Sequence, residues 1–328
     1  MASRSLKSPG LLFTALLALA VAPPEALAQS SYPDRPIRII VPNAPGGTVD
    51  MVARLLAQGL NERLGWRVVV DNRPGAGTII GSEVVAKAPP DGYTLLMSVS
   101  TLAINPATYK KMPYDAMRDF APITQTTFVP NLFVVHPSVP AKSVKEMIAF
   151  ARARPGQILY ASAGNGSNPH LTMELFANMA QISMVHVPYK GGTPAFTDLI
   201  AGNVAIMSTN LSSIMPHVRA GKLRALAVSS ARRAAAAPDI PTVAESGLPG
   251  FESVQWYGLL APAKTPRQII EKLHKEVVSI LRAPDTKARL ASDGAEVVAS
   301  SPEEFAAFLK AETVKMAKVV KAAGIQPE

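Results

Sequence analysis

A short apolar strand, a glycine-bearing polar loop and a helix recur along this chain, and that unit limits what it can fold into. The first copy is Ile37-Arg38-Ile39-Ile40-Val41-Pro42-Asn43-Ala44-Pro45-Gly46-Gly47-Thr48-Val49-Asp50. Ile37 to Val41 has the continuous apolar character of a buried parallel strand. Pro42 and Pro45 end it, because proline cannot donate to a ladder. Gly46-Gly47 lets the backbone turn and approach a ligand closely. Thr48 is an expected N-cap, and Val49, Val52, Ala53, Leu56 and Leu60 then mark one helical face. A helix N-terminus behind such a turn presents unpaired N–H groups and the positive end of the dipole, which is where an anion binds. The same pattern is also an ordinary strand-to-helix turn with no ligand.

A second unit follows. Trp66 to Asp71 reads as a strand, Asn72 to Thr78 as a glycine turn and Ile79 to Lys87 as a helix. Gly75, Gly77 and Gly81 imitate a dinucleotide fingerprint, but the spacing is GxGxxxG and the turn follows the second strand, so nucleotide binding is disfavoured. Thr94 to Ser98 is a third strand, ending in Ser98-Val99-Ser100-Thr101, and Ala121 to Gln125 starts a fourth. The order β-α-β-α-β points to a doubly wound α/β lobe.

The character then repeats. Leu132 to Val135 reads as a strand closed by His136-Pro137, and Ser143 with Glu146 has capping-box spacing. Ile158 to Ala161 leads into Ser162-Ala163-Gly164-Asn165-Gly166-Ser167-Asn168 and a helix from about Pro169 to Met179. Val185 to Val187 leads into Pro188-Tyr189-Lys190-Gly191-Gly192-Thr193 and another helix. Val204 to Met207 and Leu223 to Val228 are further strands. Residues 238–250 form a connection, and Ser253 to Leu260 reads as a strand crossing back. Helices over 266–281, 284–293 and 302–323, without new strands, are expected to wrap the first lobe. The expected division is a first lobe of 29–130 plus 253–328 and a second lobe of 131–252. Glycine loops from the two lobes can converge on one hinged cleft.

Residues 1–28 read as an export signal: Arg4 and Lys7, then apolar Leu11 to Val21, then Ala26-Leu27-Ala28, so the mature chain is expected to begin at Gln29. The chain has 328 residues and no cysteine, which removes thiol catalysis, cysteine metal sites and disulfides. Its formal charge of +9 is scattered rather than gathered in a stripe, so nucleic acid is a poor partner. The five histidines show no metal spacing with carboxylates, and no cofactor motif stands out. Ser162, Ser167 and Ser208 lack a G-x-S-x-G context, and no histidine–aspartate pair can be assigned to them, which leaves an exported hydrolase without a nucleophile–base pair.

The ordered motifs resemble a known family. Tyr32-Pro33-x-Arg35-Pro36-Ile37, Pro42-x-Ala44-Pro45-Gly46-Gly47-x-x-Asp50, Asn72-Arg73-Pro74-Gly75-Ala76-Gly77, Pro90-Asp91-Gly92-Tyr93-Thr94-Leu95, His186-Val187-Pro188-Tyr189-Lys190-Gly191-Gly192 and Trp256-Tyr257-Gly258-Leu259-Leu260-Ala261-Pro262 are similar to the Bug (TctC-like) family, the periplasmic solute receptors of tripartite tricarboxylate transporters. The resemblance runs over the whole mature chain. It implies a two-lobed Venus flytrap of the type II periplasmic binding protein class. It further implies a periplasmic monomer that binds a di- or tricarboxylate, acidic amino acid or aromatic acid for a membrane permease. A receptor that signals to a sensor protein is the alternative.

By the same resemblance the ligand lies between Asn43, Ala44, Pro45, Gly46, Gly47, Thr48 and Asp50, with Ser98, Ser100 and Thr101 nearby, and Ser162, Gly164, Asn165, Gly166, Ser167 and His170, with Tyr189, Lys190, Gly191 and Asn210 beside them. Backbone N–H groups, hydroxyls and water would hold the carboxylate; a hydrogen bond to a charged group contributes about 1.5–3 kcal/mol, so no arginine clamp is required. Where relatives carry acids in the run before Asn210, this chain has Ala205 and Thr209. Three residues carry two readings each. Asp50 either meets the ligand or pairs with Arg54 four residues on. His170 either donates to a carboxylate or makes a structural bond. Lys190 is either a site residue or a solvated one. Trp256 and Tyr257 are expected to pack at the crossover between lobes.

Overall fold

The computed structural model describes residues 1–2 and 32–327. The expected export signal lies outside the described residues apart from its first two positions, as does the start at Gln29. Along the chain the elements are β1 (Ile37–Val41), α1 (Thr48–Leu64), β2 (Val68–Asn72), a single 3₁₀ turn over Ala76–Thr78, α2 (Ile79–Ala86), β3 (Thr94–Val99), α3 (Thr101–Thr108), β4 (Phe120–Val135), α4 (Val144–Arg152), β5 (Leu159–Ser162), α5 (Asn168–Ala180), β6 (Val185–Pro188), α6 (Gly192–Ala201), β7 (Ile206–Asn210), α7 (Leu211–Arg219), β8 (Arg224–Val228), β9 (Val254–Pro262), α8 (Arg267–Leu281), α9 (Pro284–Ser292), β10 (Glu296–Val297) and α10 (Pro302–Ala322).

Two sheets share one strand. The first runs β2-β1-β3-β9-β4, with β1 parallel to both β2 and β3, and β9 antiparallel to both β3 and β4. The second runs β8-β4-β7-β5-β6, with β4 antiparallel to β7 and β8, and β5 parallel to β7 and β6. From Phe120 to Pro130, β4 pairs with β9. From Asn131 onward it pairs with β7 and β8.

This corrects the sequence reading at one place. Ala121 to Gln125 and Leu132 to Val135 are not separate strands; they are parts of one strand of 16 residues. Both Pro122 and Pro130 lie inside it. The strand absorbs Pro122 at an irregular register, where Pro122 pairs with Leu260 and Thr124 with Leu259, and Pro130 sits where β4 exchanges partners. A second correction is β10, a two-residue strand against Thr127 and Phe128 in a stretch expected to hold only helices.

Both faces of each sheet are covered, as a doubly wound lobe requires. On one face of the first sheet Val49, Val52 and Leu56 of α1 pack with Leu273 and Val277 of α8. On the other, Ile79 of α2, Leu102 of α3 and Phe305 and Leu309 of α10 surround Trp256. Trp256 is fully buried, with Phe305 and Phe308 edge-on at 5.8 and 5.7 Å. The second sheet carries Phe133, Phe176 and Phe251 on one face and Met207, Leu199 and Ile214 on the other. The end of α10 is shared: Met316, Val319 and Val320 meet Ile104 of α3 and Leu171 of α5.

Buried hydroxyls and amides link the two sheets where β4 changes partners. The Asn131 side chain donates to Asn168 Oδ1 at 2.7 Å and to Thr172 Oγ1 at 3.2 Å. Its backbone N–H donates to Ser229 Oγ, which in turn donates to the Ser253 carbonyl. Thr172 and Ser253 join hydroxyls at 2.7 Å. Such groups are buried only when they satisfy one another.

The three glycines that imitate a nucleotide fingerprint have a packing role. Gly81 faces the backbone after β1: a Cβ there would lie 2.8 Å from both Arg73 O and Pro42 Cα. Gly81→Ala is therefore expected to push α2 off the first sheet and to destabilise the protein by about 1–3 kcal/mol, the usual range for overpacking, as measured by urea unfolding. An unchanged midpoint would show that α2 does not need this close approach.

Candidate functional site

The carboxyl ends of β1, β3, β5, β6 and β7, and the loops that follow them, carry the residues singled out above. After β1, Asn43 is half-buried, Ala44, Pro45, Gly46 and Gly47 are exposed, and Thr48 opens α1. Gly46 has φ +92°, a conformation that favours glycine. The N-cap is Gly47, not Thr48, and it supplies no side-chain bond to the first turn. The first amides of α1 are thus left for water or a ligand.

Asp50 shapes this loop from within. Its Oδ2 accepts the Gly46 N–H at 3.0 Å and Arg54 Nε at 2.9 Å, and its Oδ1 accepts Asn72 Nδ2 at 3.0 Å. Asn72 also donates to the Asn43 carbonyl and accepts from Arg54. Burial alone would raise the Asp50 carboxyl; the bonds from Arg54, Gly46 and Asn72 outweigh it and hold the group below its ordinary value. Both oxygens are engaged inside the lobe, which is the pairing arm of the two readings of this residue.

At the end of β3, Ser98 and Ser100 are buried. Ser98 Oγ donates to the Val99 carbonyl and Ser100 Oγ to Gln255 Oε1 at 2.9 Å, while Thr101 meets Thr78 hydroxyl to hydroxyl at 2.7 Å. Tyr257, raised to about 12 by burial, sits on the adjacent strand against Thr48.

In the second lobe, Gly164 and Gly166 have φ +126° and +69°. Ser162 Oγ accepts the Gly164 N–H at 3.1 Å. Ser167 caps α5, accepting from the His170 N–H, and donates to the Gly164 carbonyl at 2.7 Å. The Gly166 N–H donates to His170 Nδ1 at 3.1 Å. Asn165 is exposed. Tyr189 is anchored to Asp198 at 2.6 Å; Lys190 is exposed, and the Gly191 N–H donates to the Ala163 carbonyl. Gly191 caps α6 without a side-chain bond. Asn210 caps α7, accepting the Ser212 N–H at 3.2 Å.

The structure brings together a pair that the sequence did not show. Ser162 Oγ and His186 Nε2 lie 2.6 Å apart. Ser162 is fully buried, and the ring beside His186 belongs to His170, stacked at 3.8 Å and 8°. A hydroxyl that no substrate can reach, on an imidazole with no carboxylate behind it, is an internal bond rather than a nucleophile. The motif Pro-Tyr-Lys drew attention to Tyr189 and Lys190; the alternation of His186 with Val185 and Val187 would place His186 on the polar face, so nothing local marked it.

Thr101, Asn165, Gly166 and Ser167 line one cavity of about 220 Å³ between the lobes. Gly77, Asn105, Thr108, Tyr109, Ile325 and Gln326, none expected from the sequence, complete it. Asn105 is buried inside α3 and donates to the Gly77 carbonyl at 2.9 Å, so a polar residue on an apolar helix was the legible mark. A larger hollow of about 480 Å³, between residues 106–119 and Thr313, contains none of the glycine loops. Among the described residues no cluster of histidine and carboxylate side chains could hold a metal ion.

Asp50→Ala is expected to cost about 1–3 kcal/mol, because it strips the acceptor from Asn72 and Gly46 in a buried site. Arg54→Ala should cost under about 1 kcal/mol, because that side chain is half in water. Urea unfolding of both variants checks the order; equal losses would mean that the ion pair, not the loop bond, carries the effect.

Comparison with known proteins identifies the family. The family model described as "Tripartite tricarboxylate transporter family receptor" matches residues 52–325. The chain is 38% identical over 300 residues to the protein BugT of Bordetella pertussis, covering 91% of this chain and 92% of that one. The structure of R. palustris Rpa4515 with adipate is 38% identical with a TM-score of 0.76, covering 90% of this chain and 100% of that one. MatC (Rpa3494) from Rhodopseudomonas palustris with bound malate is 31% identical with a TM-score of 0.70, covering 88% and 100%. The two-lobed fold, the matched length and the shared identity have one reading: the chain belongs to the Bug (TctC-like) family of tripartite tricarboxylate transporter receptors.

Proposed function

We propose that this receptor closes its two lobes on a small carboxylate in the periplasm and presents the closed form to the membrane permease of a tripartite tricarboxylate transporter. The observation that carries the reading is the N-terminus of α1, where a glycine stands in place of a capping side chain and the loop before it is exposed. Amides that no side chain satisfies, at the positive end of a 17-residue helix, attract a carboxylate. In this reading the loop of Gly164 to Ser167 and the exposed Lys190 beside Gly191 supply the second lobe's side of the site, although the cavity that this loop lines takes Gly77 and Thr101, not Asn43 to Asp50, from the first lobe. The proposed lobes are 29–130 with 253–328 and 131–252, meeting where β4 changes partners. Adipate and malate in two relatives make dicarboxylates the leading class. Ser162's burial speaks against a hydrolase.

A thermal-shift screen of the mature protein tests this. A ligand at 100 times its dissociation constant adds about 2.7 kcal/mol, enough to raise Tm by several degrees. Shifts are expected with dicarboxylates such as adipate and malate and not with sugars or inorganic cations; the reverse pattern overturns the proposal. Gly47→Val gives the matching variant. Its φ is −82° and a Cβ there meets nothing within 4 Å, so the fold tolerates the change while backbone approach is blocked. Losing one or two charge-assisted bonds should weaken binding about 10- to 100-fold by calorimetry. Gly166→Val is the poorer probe, because φ +69° strains any side chain there.

A further inference from the structure

The two loops are held by the same device, built from different chemistry. In α1, Gly47 is the N-cap and Asp50 the third helical residue; in α5 those places belong to Ser167 and His170. In each, the glycine just before the cap donates its N–H to the side chain of that third residue: Gly46 to Asp50 Oδ2 at 3.0 Å, Gly166 to His170 Nδ1 at 3.1 Å. A backbone N–H is always a donor, so Nδ1 of His170 must be unprotonated and the proton must sit on Nε2. The carboxylate of Asp50 stays an acceptor throughout mild acid; the imidazole of His170 does not.

We propose that protonation of His170 unlocks the second-lobe loop while the first-lobe loop stays fixed, so that acid alone makes the receptor release its carboxylate. The release step rests on the function proposed above; the unlocking does not. A proton on Nδ1 sets two donors against each other at 3.1 Å and expels the Gly166 amide. The new charge also meets the positive end of α5, whereas Asp50 meets its helix with the favoured sign.

The surroundings offer little compensation. His186 on β6 stacks on the ring at 3.8 Å and gains nothing from a cation beside it. Tyr160 on β5 lies parallel at 6.3 Å. Glu174, one turn on in α5, is 3.8 Å from Nε2, but its Oε1 already accepts the Tyr160 hydroxyl. α10 meets α5 through Met316, Val319 and Val320 and carries the buried Glu312 one turn earlier, already paired with Lys315; β7 meets it through Ile206, β4 through Asn131 and β9 through the Val254 carbonyl. Burial, and then His186, push His170 down to about 4; burial pushes His186 down to about 4. The locked loop binds fewer protons than the open one between about 6.5 and about 4, so locking weakens as pH falls through that window.

The test follows two amides in the ¹⁵N-labelled mature protein. Between pH 7 and pH 4.5 the hydrogen-exchange protection factor of Gly166 should fall at least tenfold relative to that of Gly46. His170→Asn keeps an acceptor near the place of Nδ1 without a titrating ring, and should remove that pH dependence. Calorimetry with adipate and with malate should show the dissociation constant rising at least tenfold more in the wild type than in His170→Asn over the same range, the variant reporting the ligands' own protonation. Parallel loss of protection at both glycines, a variant that follows the wild type, or tighter binding in acid would overturn the proposal. If neither acid binds at any pH, the ligand reading and the release step fall together, and the amide ratio still decides whether the loop unlocks.

Discussion

The fold depends on one strand that belongs to two sheets. β4 is 16 residues long, pairs with β9 up to Pro130 and with β7 and β8 from Asn131. Any relative movement of the two sheets would bend β4 and the segment entering β9, because no other strand pairs in both sheets among the described residues. Asn131, Thr172, Ser229 and Ser253 surround that point with mutually satisfied hydroxyls and amides rather than interlocked methyl groups. Small polar groups that exchange partners over short distances suit a joint better than a close-packed apolar contact, which resists any change of shape. The last turns of α10, wedged between α3 and α5, are the one apolar cluster that both lobes share among the described residues.

Above the joint the cleft is made mainly of backbone. The loops after β1 and β5 use glycine for their turns, and buried side chains beneath hold each turn in place: Asp50 with Asn72 and Arg54 on one side, Ser162, Ser167 and His170 on the other. The charged and aromatic groups named in these motifs are largely engaged below the surface. The Gly46, Gly164, Gly166 and Gly191 N–H groups are spent inside the loops, so what remains for solvent is the uncapped first turn of α1, the exposed Asn165 and Lys190.

Much of this was legible in order of periodicity. The strand–loop–helix units, the cap at Ser143 and the three closing helices follow from apolar spacing and short-range chemistry, and they sit where the pattern put them to within a few residues. What failed was long-range. Pro122 and Pro130 argue locally for breaks, yet β4 runs through both, because β9 fixes its path from the far side of the chain. Asp50 could be paired with Arg54 from their spacing, whereas Asn72, the donor to its second oxygen, sits 22 positions away. Likewise nothing local ties His186 to Ser162 and His170; the parallel pairing of β5 and β6 brings them together.

The position of β9 also sets an order of assembly. It lies between β3 and β4, so the first sheet lacks an interior strand until residues 254–262 have been made. The second sheet is complete once β8 ends at Val228. A chain emerging from its N-terminus can thus close the later lobe first, while β1, β2 and β3 wait as an unfinished three-strand layer with an open edge. The β4–β9 contacts that finish the first lobe span from 124 positions (Pro130 to Val254) to 142 (Phe120 to Pro262), the kind of closure that slows folding and leaves apolar surface uncovered longest.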